Sequence, residues 1–467
     1  MTVKAIDYAQ QGLKERRQIG KDRRAFASRS SHGKWEPAAD RPDPIRLLQE
    51  QDTGRLAHLL PIKYGRMLES PFAFFRGSAV VMAADLAATP VTKIKAVLCG
   101  DSHLSNFGVF ASPERKLVFD INDFDEVYPG PWEWDLKRLA ASAVVAGREN
   151  GFKDQDNRKL AELVARAYRT SMQRFAKMTT MEVWYFHVAA EQVLDLFKEH
   201  SAKGAKSTQK MLKKARRKTH EQTLEKLTEL VDGQHQIIND PPVLVRLSDL
   251  LTAEQKTQVT EEAVERAWSD YISSLPEERR ALLSRYKIQD SALRVGGVGS
   301  VGTRCTILLL EGGFEADALI LQQKEAGPSV LERYLPKHGY TNPAQRVVVG
   351  QRLMQSVSDI FLGWHQSSFS TRHFYWRQLK DMKGSLELDT LDKAGMGTYL
   401  AVCSACLAHA HARTSDAPVI AGYLGKGEVF DKSISDFALA YADQTERDYQ
   451  ALVEAVELGQ VEAETGI

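Results

Sequence analysis

The sequence predicts an α+β protein in which a mostly helical large unit is joined to a small unit built on an antiparallel sheet. Three observations lead there. Residues 134–285 keep an apolar helical period almost throughout, as in "LAELVARAYRTSMQRFA" and "TEEAVERAWSDYISSL". Residues 291–326, "SALRVGGVGSVGTRCTILLLEGGFEADALILQQKEA", change abruptly to alternating and continuous apolar runs. Such runs read as three antiparallel strands joined by a Gly-rich turn and a hairpin. The length of 467 residues, 43% hydrophobic, is also enough for more than one unit.

The elements follow in order. Residues 1–45 are polar, basic and broken by "RSSHGKWEPAADRPDP", and are expected to form a flexible arm. "PFAFFRGSAVVMAADLAA" (71–88) has helical spacing and leads into the strand "IKAVLCG"; a turn at "SPER" precedes a second strand, "KLVFDIN". After the Gly-rich strands, "NPAQRVVVGQRLMQSVSDIFLGW" reads as helix, "HFYWRQL" as strand, and the remainder as two helices. The expected division is therefore an arm (1–45), a large unit (46–288), a small unit (289–385) and C-terminal helices (386–467).

Composition excludes some functions. With 62 basic and 61 acidic residues the formal charge is +1, so no overall field draws the chain to nucleic acid or an anionic membrane. No uncharged apolar run approaches a membrane span and the first residues lack the apolar core of a signal peptide, so a cytoplasmic location is expected. Residues 203–220, "KGAKSTQKMLKKARRKTH", are strongly basic and offer the one helix that could hold nucleic acid. Without interleaved aromatic residues, a solvated face is the favoured reading. Cys403 and Cys406 form a CxxC within a helical run with no second pair, and read as small buried helix residues.

Chemistry concentrates in "VLCGDSHLSNFGVF" (97–110) and "NDFDEVYPG" (122–130). Asp101 can accept a proton, while Asn106 and Asp123 supply an amide oxygen and a carboxylate for a hard cation, the set that phosphoryl transfer on Mg²⁺ requires. Asp101 lies five residues before Asn106, the spacing of the proton-accepting Asp and the metal-binding Asn in protein kinases. The motif alone also fits a turn held by its own side chains.

These residues resemble the aminoglycoside phosphotransferase branch of the kinase-like fold, whose pattern runs GDxHxxN, a hairpin, IDFxD, then GxPxxDLA. The metal-binding Asp of that pattern lies seven residues before a glycine, and Asp123 lies seven before Gly130, which favours it over Asp120 and Asp125. The resemblance implies that His103 braces the catalytic loop and that Asp135, in "WEWDLKRL", supports it from a helix start. "GVGSVG" is a GxGxxG between strands, and Lys324 closes the third strand; Gly297, Gly299, Ser300 and Gly302 would cover the phosphates and Lys324 would neutralise them. Glu332, eight residues beyond Lys324, is the candidate partner for that lysine, with Glu325 its rival. Arg76 and Arg294 could reach phosphates or serve as structural ion-pair partners.

The kinase order is reversed here, because Gly297 follows Asp101 by 196 residues. A circular permutation of a two-lobe kinase-like fold accounts for this, and closely spaced surface termini make it physically tolerable. Beyond residue 40 the chain also resembles an uncharacterised bacterial domain family, through "PIKYGRMLESPFAFFRG", "CGDSHLSNFG", "NDFDEVYPGPWEWDLKRL" and "YADQTERDYQ". The expected function is ATP- and Mg²⁺-dependent phosphoryl transfer to an acceptor hydroxyl on a small molecule or protein that the sequence does not name. The alternatives are AMP transfer from the same cleft, and a nucleotide- or phosphate-binding module without turnover.

Overall fold

A computed structural model describes residues 11–217, 220–250, 261–314, 317–368, 370–379 and 382–466. Its fold is mixed α+β, with several small antiparallel sheets. Strands β1 (Lys95–Leu98), β2 (Phe107–Ala111), β3 (Leu117–Ile121) and β4 (Tyr128–Pro131) lie against the helical body. β2 pairs with β3, and β1 pairs with β4 outside them. The connections 99–106 and 122–127 therefore lie side by side, and Asn122 N–H donates to Asn106 O at 3.0 Å. β5 (Val188–Ala189) adds to β3.

β6 (Thr228–Val231) and β7 (Gln234–Ile237) form a hairpin. β8 (Leu244–Arg246), β9 (Lys287–Arg294), β10 (Cys305–Glu311), β11 (Ala318–Ala326), β12 (Gly363–Gln366) and β13 (His373–Gln378) make one antiparallel sheet in the order β12-β13-β11-β10-β9-β8. Strand alternation divides its apolar residues between two faces. Ile307 and Leu309 pack with Ile237 and Ile320, while Leu308 and Leu310 pack with Tyr271, Leu283 and Trp376. The other main core belongs to the helices Glu133–Glu149, Asp154–Phe175, Lys393–Thr414 and Val429–Glu457.

Four expectations need correction. The sheet takes its first strand from β8 at Leu244, ahead of 289, with the β6–β7 hairpin a separate small sheet before it, and the helix Glu261–Ser273 lays Tyr271 against its back. A readable signal was Asp232–Gly233, with φ of 52° and 81°, a two-residue turn of the kind that closes hairpins. Second, the described part of the arm is docked. The Cβ of any residue replacing Gly20 would lie 1.9 Å from Val419 O. His32 is buried beside Tyr423 and Phe430, and Arg41 forks onto Asp85 and Asp448. Arg24 and Arg29 donate to the carbonyls of Gly422, Tyr423 and Leu424, where the helix Ala417–Leu424 ends and its dipole favours cations. The basic residues of the arm expected to be flexible thus have internal partners.

Third, the helix Pro343–Met354 stops ten residues short, and part of the remainder becomes β12. Fourth, the 71–88 helix breaks at Ser78 into Pro71–Gly77 and Ala79–Ala87. The basic helix Ala202–Arg217 buries Gly204, Thr208, Met211, Leu212 and Ala215 on one face; Lys218 lies outside the described residues. Cys403 and Cys406 are free and buried. Among the described residues no helix is long and apolar enough to cross a membrane.

Candidate active site

A cavity of about 670 Å³ opens between the helical body and the sheet. Asp101, His103, Asn106, Asn122, Asp123 and Asp125 line its floor. Gly296 to Ser300 and Lys324 line the opposite wall. The structure thus brings Asp101, His103, Asn106, Asp123, Gly297, Gly299, Ser300 and Lys324 to one cavity.

The floor is fixed from below. Gly100 has φ +80°, and a Cβ there would come within 2.3 Å of Glu126 O, so the chain can turn between β1 and Asp101 only with glycine. Asp135, two residues into its helix, accepts the N–H of Cys99 at 2.8 Å and of Gly100 at 3.1 Å. His411 Nε2 lies 3.3 Å from Asp135 Oδ2, and Tyr168 reaches His411 Nδ1 at 2.8 Å. Ser102 Oγ donates to Asp135 O. These contacts are geometric support for the loop carrying Asp101.

Arg138 Nε donates to Asp101 Oδ1 at 2.5 Å, while Oδ2 lies 3.6 Å from His103 Nε2. Burial raises the Asp101 pKa, with Arg138 opposing it, and burial drives His103 well below its ordinary value, to the neutral form. A buried carboxylate of the cavity lining, with one oxygen pinned and the other without a hydrogen bond to a described residue, has the form of a proton acceptor. Asn106 Nδ2 donates to Asp101 O at 2.7 Å, which fixes the amide and leaves its oxygen for another partner.

Asp123 and Asp125 are held differently. Lys324 Nζ and Tyr375 Oη each reach an Asp125 carboxylate oxygen at 2.5 Å. Burial would raise the Asp125 pKa, but Lys324 outweighs it and holds the carboxyl below the usual range; Lys324 is raised in turn by Asp125 against its own burial. Asp123 accepts the Asp125 N–H at 3.3 Å, and its pKa is raised by burial and then by the neighbouring Asp125 charge.

Among the described residues no cluster of three or more His, Cys, Asp or Glu is arranged to hold a metal ion unaided. Asn106 and Asp123 fit a different requirement, since Mg²⁺ keeps waters and is held by one or two protein oxygens together with substrate phosphates.

Two expectations are not met. Glu332 does not pair with Lys324; the chain leaving β11 crosses Glu126, which takes the N–H of Val330, and carries Glu332 toward Tyr128 and Arg346. Its rival Glu325 binds Arg304 and Arg372. Gly302 lies outside the cavity lining, where its carbonyl takes the Leu56 N–H at 2.7 Å and its φ of +85° turns the chain. Sequence reasoning also missed Arg377 and Lys383, which line the cavity close enough to influence Asp123. Arg377 sits in the strand read as "HFYWRQL", so alternation could have directed it to the same face as Tyr375.

The model of a family described as an uncharacterized protein conserved in bacteria (DUF2252) matches residues 55–455. The chain belongs to this family. No curated protein and no solved structure matches it. Within the DUF2252 match lie the cavity floor, the glycine loop and Lys324.

Proposed function

We propose that this DUF2252 protein is an ATP- and Mg²⁺-dependent phosphotransferase, a kinase-like two-lobe fold in permuted order, acting on an acceptor hydroxyl. The observation that carries the reading is the meeting of Lys324 and Asp125, 199 residues apart, in the cavity that also holds Asp101, Asn106 and Asp123. The glycine loop adds support. Gly297 is exposed with φ −72°, and a Cβ there would meet nothing within 4 Å; at Gly299 the nearest atom would be 3.6 Å away. No protein atom requires glycine at either position, whereas close approach of phosphates to backbone N–H groups does.

In this reading Lys324 and the N–H groups of Gly297 to Gly299 bind the triphosphate, the Ser300 N–H being used within the turn, and Asn106 with Asp123 would hold Mg²⁺. Bound Mg²⁺ supplies neutralisation of phosphate charge. Asp101 takes the acceptor proton on Oδ2, the acceptor oxygen bonds to the γ-phosphorus, and the bridging P–O bond breaks to release ADP. Arg138 keeps the Asp101 carboxylate in place.

The test incubates the protein, Mg²⁺ and a bacterial metabolite extract with ATP labelled at either the α or the γ position. Transfer of γ-label with ADP release is expected. Asp101→Asn should lower it by about 10²–10⁴-fold while nucleotide affinity changes by less than about twofold. Transfer of α-label instead would assign AMP transfer. Undiminished turnover by Asp101→Asn would remove Asp101 from the reaction.

A further inference from the structure

Seven arginine or lysine side chains and five carboxylates line the cavity among the described residues. Two sets of these cations bear on the carboxylates. Lys324, Arg377 and Lys383 surround Asp123 and Asp125, where the triphosphate is placed above. Arg76 instead acts on Asp101 and His103.

Arg76 is not needed to neutralise Asp101, which already has Arg138 at 2.5 Å. Its Nε is buried without a hydrogen-bond partner, and neither a hydrogen bond nor an ion pair joins its guanidinium to any described residue. Its carbonyl lies beneath the glycine loop, 3.6 Å from where a Gly299 Cβ would be. A partly buried guanidinium left unpaired is costly, and a bidentate oxyanion is the partner that its planar fork fits best. The neighbouring Arg66, which donates to Gly296 O, adds positive charge to the same wall.

Resting on the phosphotransferase reading, we propose that the acceptor carries an oxyanion, a phosphate or a carboxylate, and that Arg76 receives it beside Asp101. The hydroxyl to be phosphorylated then faces Asp101 while its anionic group is held by Arg76. An acceptor carrying an ammonium in that position would instead set like charge against the guanidinium. The substrate class is therefore anionic alcohols.

The test uses the full chain saturated with Mg²⁺ and a non-hydrolysable ATP analogue. The thermal midpoint is read on adding inorganic phosphate or acetate against chloride at equal ionic strength. Phosphate, acetate or both should raise the midpoint by about 2 °C in wild type and in Arg76→Lys, and in neither case in Arg76→Gln. The analogue affinity of Arg76→Gln should stay within about twofold of wild type. A phosphate-only response assigns a phosphorylated acceptor, and an acetate-only response a carboxylate.

No response in wild type, or an undiminished response in Arg76→Gln, overturns the proposal. So does an analogue affinity weakened about tenfold in Arg76→Gln, which would give Arg76 to the nucleotide. Should the analogue itself fail to bind, the phosphotransferase reading falls, whereas an Arg76-dependent response to phosphate alone still upholds the oxyanion subsite.

Discussion

Beneath the cavity, Asp135 takes two backbone N–H groups, Tyr399 donates to the carbonyls of Leu104 and Phe107, and Ser142 accepts the Leu104 N–H. All of these groups are buried. Above it, the glycine loop is tied by Arg55 and Arg66 to its carbonyls and by three valines. Val295 and Val301 pack with Leu59 and Ile62, and Val298 joins the main core, while Gly297 and Gly299 between them face outward. A floor set by buried hydrogen bonds resists displacement. A roof hung on valines three residues apart, with its carbonyls held by Arg55 and Arg66, turns Gly297 and Gly299 outward to meet a ligand. The contrast suits a site in which the reacting carboxylate is fixed and the phosphate cover adapts.

The largest effect should come from breaking the floor. Asp135→Ala removes the acceptor for the Cys99 and Gly100 N–H groups and leaves His411 without its carboxylate, all with almost no access to water. The expected cost is about 3–5 kcal/mol, read as a lower denaturant midpoint at unchanged m-value. Asp135→Asn, which keeps an acceptor oxygen, should lose less. Equal losses in the two variants would mean that the charge rather than the hydrogen bonds fixes the loop.

Two glycines sharpen the comparison at smaller cost. A Cβ on Gly108 would stand 2.5 Å from Gly384 O, where the 382–384 segment is bonded to Val109. Gly108→Ala should destabilise by about 1–3 kcal/mol. Gly297→Ala meets open space and should leave stability within about 0.5 kcal/mol, yet weaken nucleotide binding by about tenfold, because the added methyl lies where phosphate oxygens would approach. If Gly297→Ala binds nucleotide as wild type does, the loop is not the phosphate cover.

The same contrast explains what could be read in advance. Asp101, Asn106 and Asp123 lie within 23 residues, and short turns convert that spacing into proximity. Lys324 could be placed because a strand, a glycine turn, a strand and a hairpin precede it. Its partner could not: the resemblance to a kinase small lobe pointed to a following glutamate, Glu332 or Glu325, whereas the Lys324 ammonium reaches across to Asp125 on the floor. The roles of Asp123 and Asp125 are likewise separated only by Tyr375 and Lys324, which come from the sheet. The arm and β8 were misread for a related reason, because periodicity and charge describe a segment's faces without naming what covers them.

Lys383 gives the smallest and most specific measurement, since it probes the point where roof and floor charges meet. Burial, followed by the like charge of Arg377, lowers its pKa to about 7, with Asp123 opposing. At pH 8 the amine is therefore mostly neutral in the free protein, whereas an unfolded lysine stays charged up to about pH 10. A polyphosphate bound beside it favours the charged form and raises its pKa. Binding at pH 8 must then take up a proton, and binding at pH 6, where Lys383 already holds one, must not. By linkage, affinity for nucleotide should fall as pH rises above about 7, approaching tenfold per pH unit until the bound-state pKa is passed. Calorimetric titration in buffers of different ionisation enthalpy reads the proton directly. Lys383→Met should remove the uptake at pH 8 and flatten the affinity between pH 7 and 9. Uptake that persists in Lys383→Met would assign the proton to another group, and release instead of uptake would show that the nucleotide's phosphates lie away from this end of the cavity.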